Sequence, residues 1–184
     1  GLQPVDNPSE IFISQGRRIS AGSTIISCME GTRALLVEIQ ALVARANFGM
    51  PERKVSGVDY NRVSMILAIL EKRIGLKLGG QDGFVNIVGG VQINEPAADL
   101  GIAMTIASSF KEKVIPSDTV FVGEVGLGGE VRSVSQMEIR LKEAHRLGFK
   151  KAVIPKDNAK GISKDAGIEL IEVCYLSESV EIIG

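Results

Sequence analysis

The sequence predicts an α/β protein, in the wider sense α+β, with a mixed β-sheet and helices packed against it. Three observations lead to this class. Short runs of β-branched and apolar residues dominate the first quarter of the chain, apolar stripes at helical spacing appear from about residue 61, and strand and helix patterns alternate after that. With 184 residues, of which 45% are hydrophobic and 23% charged, the chain can form one domain over 1–184 with a substantial core.

The first part of the chain has the pattern of strands. In residues 34–43, ALLVEIQALV, the polar Glu38 and Gln40 share one face while apolar residues share the other, which is the two-residue period of a half-buried strand. The predicted strands of this part are 11–15, 24–30 and 34–43. Residues 47–58 follow as a predicted loop with Arg53 and Lys54 at its tip.

A helix is predicted over 61–74. Asp59 precedes it as an N-cap, and Gly75 follows it as a C-terminal stop. The apolar residues that fall on one stripe of this helix are Val63, Ile66, Leu67, Leu70 and Ile74.

Strands and helices alternate in the second half. The predicted elements are a strand at 84–91, a helix at 98–110, strands at 119–127 and 130–134, a helix at 136–147, strands at 150–155 and 168–173, and a closing helix at 177–183. Gly128 and Gly129 predict a tight hairpin between two of these strands, and Ser177 predicts a cap for the last helix. The helix at 98–110 is apolar on most sides, which predicts deep burial.

The composition argues against several classes of protein. No apolar run reaches the roughly 18 residues of a membrane helix, and two Cys with a single His cannot complete a four-ligand zinc site. The glycine-rich residues 123–134 lead into a strand, and no GxxxxGK(S/T) motif occurs, so a hairpin is favoured over a phosphate-binding loop. The net charge is −1, but residues 140–164 carry eight Lys or Arg against three acids when Asp165 is included.

Residues 93–104, INEPAADLGIAM, form a turn that runs into a helix, and such a turn is a suitable place for a nucleophile. The residue at this place is Asp99, with no Ser, Cys or Thr beside it. Asp99 could form a carboxylate pair with Glu95, Glu124 or Glu138 for acid–base chemistry, which requires one carboxyl group with a raised pKa. The favoured interpretation of Asp99 is a helix cap or a first-turn anion.

Basic side chains form a second candidate site. A DNA-binding surface requires Lys and Arg on one face and needs no catalytic residue, although charge alone fits an ordinary solvated surface equally well. Aromatic residues that could stack on single strands are scarce, and the candidates are Phe48, Tyr60 and Phe84. The basic positions are Arg33, Arg45, Arg53, Lys54, Arg62 and the cluster at 140–164.

The motifs INEPAADLGIAM, VFVGEVGLGGEVRSV and EIRLKEAHRLGFKKAVIP resemble the proteolytic domain of the Lon family. In that family a serine precedes a helix that begins Ile-Ala-Met, and aligned on that helix the serine position holds Asp99. The family's catalytic lysine follows the Gly-Glu-Val hairpin, and that position holds Glu138. The resemblance therefore implies a degenerate site that lacks the Ser-Lys dyad, so peptidase activity by the Lon mechanism is not expected.

The phrases DNPSEIF, EGTRALLVEIQALV, DYNRVSMILAILEKR and QDGFVNIVGGV are more specific, and they resemble the C-terminal Lon-like domain of the bacterial RadA (Sms) family over nearly the whole chain. The resemblance implies a Lon proteolytic-domain-like fold, of the type called ribosomal protein S5 domain 2-like. It implies that residues 1–8 are a linker from a RecA-like ATPase core outside this chain. ATP, Mg and Zn are then expected only in those preceding parts, with no cofactor and no enzyme activity in this domain.

The function implied by this resemblance is a cytoplasmic, non-proteolytic domain of a DNA repair and recombination ATPase. It would support a hexameric ring and DNA binding during branch migration, with DNA, further copies of itself and the recombinase RecA as partners and no membrane contact. The DNA-binding candidates are Arg33, Arg45, Lys54 and Arg62, followed by Arg140 and Lys142. The alternatives are a hydrolase with acids at Asp99, Glu124 and Glu138, or a peptide-binding remnant of the Lon site.

Overall fold

The computed structural model describes residues 20–47, 49–163 and 167–184. The strands are β1 (Ser23–Glu30), β2 (Arg33–Arg45), β3 (Arg53–Ser56), β4 (Gln81–Ile87), β5 (Thr119–Phe121), β6 (Glu124–Val125), β7 (Val131–Arg132), β8 (Lys151–Pro155) and β9 (Glu169–Val173). The helices are α1 (Tyr60–Ile69), which continues as a π-helical turn at Leu70–Ile74, α2 (Asp99–Lys111), α3 (Met137–Arg146), α4 (Lys156–Ala159) and α5 (Leu176–Glu181). Short 3₁₀ turns occupy Val88–Gly90 and Pro96–Ala98.

In the described part of the chain, seven strands form one mixed sheet in the order β3-β4-β2-β1-β5-β8-β9. The β1–β2 and β2–β4 pairs are antiparallel, and the other neighbours are parallel. Strands β6 and β7 form a separate antiparallel ribbon. This architecture confirms the predicted α/β class with a mixed sheet and packed helices.

The sheet is covered differently on its two faces. On one face, Val37 and Ile39 of β2 pack in a core with α1, α2 and α5. On the other face, Leu36 packs in a second core with α3, together with Ile25, Val120, Ala152 and Ile154 from the central and parallel strands. The α3 layer does not extend over the far end of β2, where Leu42 is 59% exposed. None of the described helices therefore covers this end of the sheet, and we call it the uncovered surface.

Helix α2 is the central buried helix, as its composition predicts, and ten of its thirteen residues are buried. Gly101 lies so close to β1 that a Cβ atom there would approach Ile26 Cγ2 to 2.0 Å. Glycine at this position therefore allows the helix to contact the sheet directly.

The ends of α1 also agree with the prediction. The Asp59 side chain accepts a hydrogen bond from the Asn61 N–H at 3.3 Å, and Gly75 ends the π-helical turn with a left-handed φ of 85°. A residue with a Cβ atom rarely adopts this conformation, which explains glycine at the stop.

Several predicted boundaries are wrong. The predicted loop 47–58 contains β3, because residues 53–56 pair in parallel with β4. The strand predicted at 84–91 begins at Gln81 and ends at Ile87, where the chain turns through Gly89. The run 119–127 forms two strands in different sheets, β5 and β6. The predicted strand 11–15 and the predicted linker 1–8 lie outside the described residues.

The C-terminal helix is capped differently from the prediction. It begins at Leu176, and the Glu178 carboxylate accepts hydrogen bonds from the backbone N–H groups of Cys174 and Tyr175, both at 3.0 Å. Ser177 is therefore not the cap. Helix α4 was not predicted, since its four residues are too few to show a periodic pattern.

Both thiols of the chain are free. Cys28 is buried in β1, and burial raises its pKa to about 12, while Cys174 is half-buried. None of the described helices is long and apolar enough to cross a membrane.

Candidate functional site

The candidate site lies at the start of α2, where Asp99 is fully buried. Its carboxylate accepts hydrogen bonds from Nε and Nη2 of Arg62 on α1, the second at 2.6 Å, and from the N–H of Val125 on β6 at 3.1 Å. No side chain among the described residues caps α2. Asp99 is thus a first-turn anion, as predicted, but its hydrogen bonds join three different elements.

The electrostatics of this pair follow from its burial. Burial raises the pKa of Asp99, against the lowering effect of the hydrogen bonds from Arg62 and Val125. The negative charge of Glu124 also raises this pKa, so Glu124 is the neighbouring carboxylate. The hydrogen bond to Asp99 raises the pKa of Arg62, and the guanidinium therefore stays charged beside the carboxylate.

Glu138, the position predicted to align with the catalytic lysine of the Lon family, is exposed in the first turn of α3. Asp99 is fully buried and Glu138 faces solvent, so the two carboxyl groups do not share one environment. Of the acids considered as partners of Asp99, which are Glu95, Glu124 and Glu138, only Glu124 is shown to shift the pKa of Asp99. The start of α2 therefore holds an ion pair, with no hydroxyl or thiol at residues 97–102.

A second buried ion pair joins Arg140 of α3 to Glu95. The Arg140 side chain is 1% exposed, and its Nη1 and Nη2 donate to Glu95 at 2.6 and 2.9 Å. Its Nη1 also donates to the Ser27 carbonyl and its Nε to the Ser135 carbonyl, while Glu95 accepts from the Met29 N–H. Arg140 cannot contact DNA in this arrangement, so its selection as a DNA-binding candidate is corrected.

The spacing of residues along α3 contains a signal for this ion pair. The inward stripe of α3 is formed by Met137, Leu141 and Ala144, and Arg140 lies on the same stripe at helical spacing. A buried arginine on an apolar stripe requires an acidic partner. Glu95 precedes the buried helix α2 and meets that requirement.

The other basic candidates are spread over the molecule. Arg33 and Arg45 are exposed at opposite ends of the 13-residue strand β2, which places them roughly 40 Å apart along the strand. Lys54 is exposed on β3 near the Arg45 end, and Lys142 is exposed on α3. Arg62 keeps 28% of its side chain exposed, but its guanidinium is engaged by Asp99. These residues alone therefore do not form the single basic face that a DNA-binding surface requires.

A polar cleft of about 660 Å³ lies between the β6–β7 ribbon and the carboxyl ends of β8 and β9. Its charged lining residues are Glu124, Glu130, Arg132, Lys156 and Asp157. Glu124 connects this cleft to the Asp99–Arg62 pair. The carboxyl ends of parallel strands are a common place for ligands in α/β proteins.

Comparison with known proteins finds one matching family model and several similar DNA repair proteins. Residues 40–158 match the family model described as subunit ChlI of Mg-chelatase. The chain is 51% identical over 180 residues to the DNA repair protein RadA of Bacillus subtilis (strain 168), covering 98% of this chain and 39% of that protein. It is 47% identical to RadA of Synechocystis sp., covering 94% and 34%, and 46% identical to RadA of Streptococcus pneumoniae, covering 97% and 42%. The chain thus spans about two fifths of the length of the curated relatives it matches.

These matches correct two expectations. From its sequence, the chain is predicted to have no enzyme activity and to hold no cofactor. The matching family model describes a subunit of an enzyme, Mg-chelatase, and this match contradicts the expectation of a chain without enzyme activity or cofactor. Both predictions are therefore wrong.

The described residues do not show where ATP and magnesium would bind. Gly126, Gly128 and Gly129 form the turn of the β6–β7 ribbon, which leads into a strand, whereas a phosphate cradle requires a helix N-terminus. Within the described ranges, no three His, Cys, Asp or Glu residues are grouped so that they could hold a metal ion. These residues do not fit an ATP–magnesium site, and none is assigned to one.

Proposed function

Because the chain belongs to the family of subunit ChlI of Mg-chelatase and covers a region of the DNA repair protein RadA, we propose that it acts in DNA repair. In this proposal it is a non-proteolytic Lon-like domain. It supports a hexameric ring and binds DNA during recombination and branch migration. The longer protein would work in the bacterial cytoplasm, with RecA among its partners.

The single observation that carries the proposal is the ion pair at the start of α2. A Ser-Lys peptidase needs a hydroxyl nucleophile and an amine that removes its proton. At the first of these positions the chain has Asp99, buried and bound by Arg62 and the Val125 N–H. These hydrogen bonds hold α1, α2 and β6 together, which supports a scaffold role in place of proteolysis.

The DNA-binding part of the proposal depends on exposed cations. DNA affinity comes largely from Lys and Arg at phosphates, and such contacts need no further chemistry. Arg33, Arg45, Lys54 and Lys142 are exposed and remain available for phosphates. Because Arg33 lies far from Arg45, several copies arranged in a ring would bring more of these cations toward one DNA molecule than a single copy does.

Fluorescence anisotropy with labelled DNA at several salt concentrations tests this proposal. Reversal of charge at Arg33, Arg45, Lys54 or Lys142 is expected to weaken binding and to reduce the slope of log K against log salt by about 0.9 for each lost contact with duplex DNA. Lys113→Glu, at an exposed lysine after α2, is the matched control and is expected to leave the slope nearly unchanged. Unchanged affinity and slope in all four variants would refute the assignment of DNA contacts to these residues.

The polar cleft beside Glu124 supports a second candidate, a peptide-binding remnant of the Lon site. Burial of Asp99 and exposure of Glu138 speak against the hydrolase alternative with these acids. Titration calorimetry with unstructured casein would show affinity without cleavage if the remnant binds peptide. Cleavage products that disappear in the variant Asp99→Asn would instead support the hydrolase.

A further inference from the structure

The seven-stranded sheet ends in two edge strands, β3 and β9. Among the described residues β3 pairs only with β4, and β9 pairs only with β8, so each has one backbone edge without a strand partner. The parallel pairings and the two antiparallel pairings of β2 make β3 and β9 run in the same direction along the sheet. A strand edge of this kind can pair with another chain unless it is protected.

Each edge carries an exposed charge on the α3 face of the sheet. Lys54 lies opposite Phe84, and Phe84 lies opposite Leu42, which shares its face of β2 with Leu36 of the α3 core. At the other edge Glu172 lies opposite Ile154, which belongs to the same core. Lys54 and Glu172 therefore project from the same face of the sheet at its two opposite ends.

These two charges are opposite in sign and have no ion-pair partner within the described ranges. Glu169, the other exposed acid of β9, lies on the opposite face and has Lys151 as its cross-strand neighbour. Charges on edge strands usually prevent pairing between copies. Like charges on both edges would do so here, whereas a lysine on one edge and a glutamate on the other attract two copies placed head to tail.

The uncovered part of the sheet adds an apolar surface beside Lys54. A groove of about 490 Å³ crosses β2, β4 and β3 there, and Leu42 and Phe84 line it. At the other edge Leu170 shares the face of Glu172 and is half-buried. An apolar centre with a charged rim is the usual composition of a protein interface.

We propose that the β3 edge of one copy docks against the β9 edge of a second copy, with Lys54 beside Glu172. A two-fold contact between identical β3 edges would bring two Lys54 side chains together, so the charges favour the head-to-tail arrangement. Such a contact joins two different surfaces and therefore repeats, closing into a ring when the rotation between copies permits. The inference rests on the proposed ring and identifies the surfaces that form it.

Sedimentation velocity at low salt tests the contact, because exposed ion pairs are weakened by screening. The wild-type chain is expected to assemble, while Lys54→Glu and Glu172→Lys should each remain monomeric. The double variant Lys54→Glu/Glu172→Lys restores opposite charges and should assemble again. An equimolar mixture of the two single variants should also assemble, since every contact in an alternating assembly then joins opposite charges. Lys113→Glu is the control and should assemble like the wild type.

The outcomes separate this inference from the proposed function. A wild-type chain that stays monomeric at every concentration overturns both the ring and the contact. Wild-type assembly that neither single variant weakens overturns the contact alone and leaves the ring in place. Single variants that lose assembly without rescue in the double variant or in the mixture also overturn the pairing of Lys54 with Glu172.

Discussion

The two partners of the buried pair at the start of α2 differ in exposure. The Asp99 side chain is fully buried, while Arg62 keeps 28% of its side chain exposed. Removal of one partner leaves the other as an uncompensated charge. The resulting loss of free energy of unfolding depends on how well water can reach the remaining charge. The Arg62 side chain can turn to solvent, whereas the Asp99 carboxylate cannot.

We therefore expect Arg62→Ala to destabilise the chain more than Asp99→Ala. Arg62→Ala should lower the free energy of unfolding by about 3–5 kcal/mol, the usual range when a buried pair loses one partner. Asp99→Ala should cost roughly half as much, because the released Arg62 guanidinium can turn to solvent and become hydrated. Urea unfolding monitored by circular dichroism gives both values, and the reverse order would contradict the assigned burial.

At the scale of elements, α3 is held by more than its apolar stripe. Arg140 donates to Glu95 and to the carbonyls of Ser27 and Ser135, so one side chain joins α3 to β1 and to the turn before α2. The planar guanidinium supplies the two parallel donors that a carboxylate accepts. A lysine at this position could not donate two parallel hydrogen bonds to one carboxylate.

A double-mutant cycle tests this connection. Glu95→Ala leaves Arg140 buried and unpaired, so it should lower the free energy of unfolding by about 3–5 kcal/mol. Arg140→Ala should cost roughly half as much, because the Glu95 side chain is 24% exposed and water can reach it. The double variant should cost less than the sum, because the second change removes the charge that the first left unpaired. Arg146→Ala, which removes a more exposed pair with Glu143, is the control and should cost within about 1 kcal/mol. Additive costs would show that Arg140 and Glu95 do not act as a pair.

Elements with a local cause could be predicted from the sequence. The cap at Asp59, the stop at Gly75 and the alternation along β2 each depend on neighbouring residues, and all are present. Strand β3 could not be recognised, because its four residues are a strand only through pairing with β4. Glu38 appeared to face solvent by its period, but it is 2% exposed and accepts a hydrogen bond from Ser23 at 3.0 Å. Long-range contacts of this kind leave no local pattern.

The site shows the same division between local and long-range causes. The start of α2 and the absence of a nucleophile there are visible in residues 93–104. The partner of Asp99 is 37 residues away and the partner of Glu95 is 45 residues away, so neither pair follows from spacing. Two of the six selected cations, Arg62 and Arg140, are committed to these pairs.

At the scale of the whole molecule, Lys54 has two proposed roles. It is an exposed cation that can meet a phosphate, and it is the charge that we place beside Glu172 of a second copy. A single charge reversal removes both roles at once, because an assembly presents more cations to DNA than a single copy does. Loss of DNA binding in Lys54→Glu alone therefore does not distinguish them.

The double variant Lys54→Glu/Glu172→Lys separates the two roles. It should assemble like the wild type, so any remaining loss of DNA affinity reports phosphate contacts made by Lys54 itself. If Lys54 contacts DNA, the salt slope of the assembled double variant should stay lower than that of the wild type by about 0.9 for each copy in contact. If Lys54 acts only in assembly, anisotropy titrations should give the wild-type slope for the double variant and a reduced slope for Lys54→Glu. The double variant could also assemble and yet bind DNA no better than the monomeric Lys54→Glu. Assembly would then contribute nothing to DNA affinity, which would contradict a ring that gathers cations around DNA.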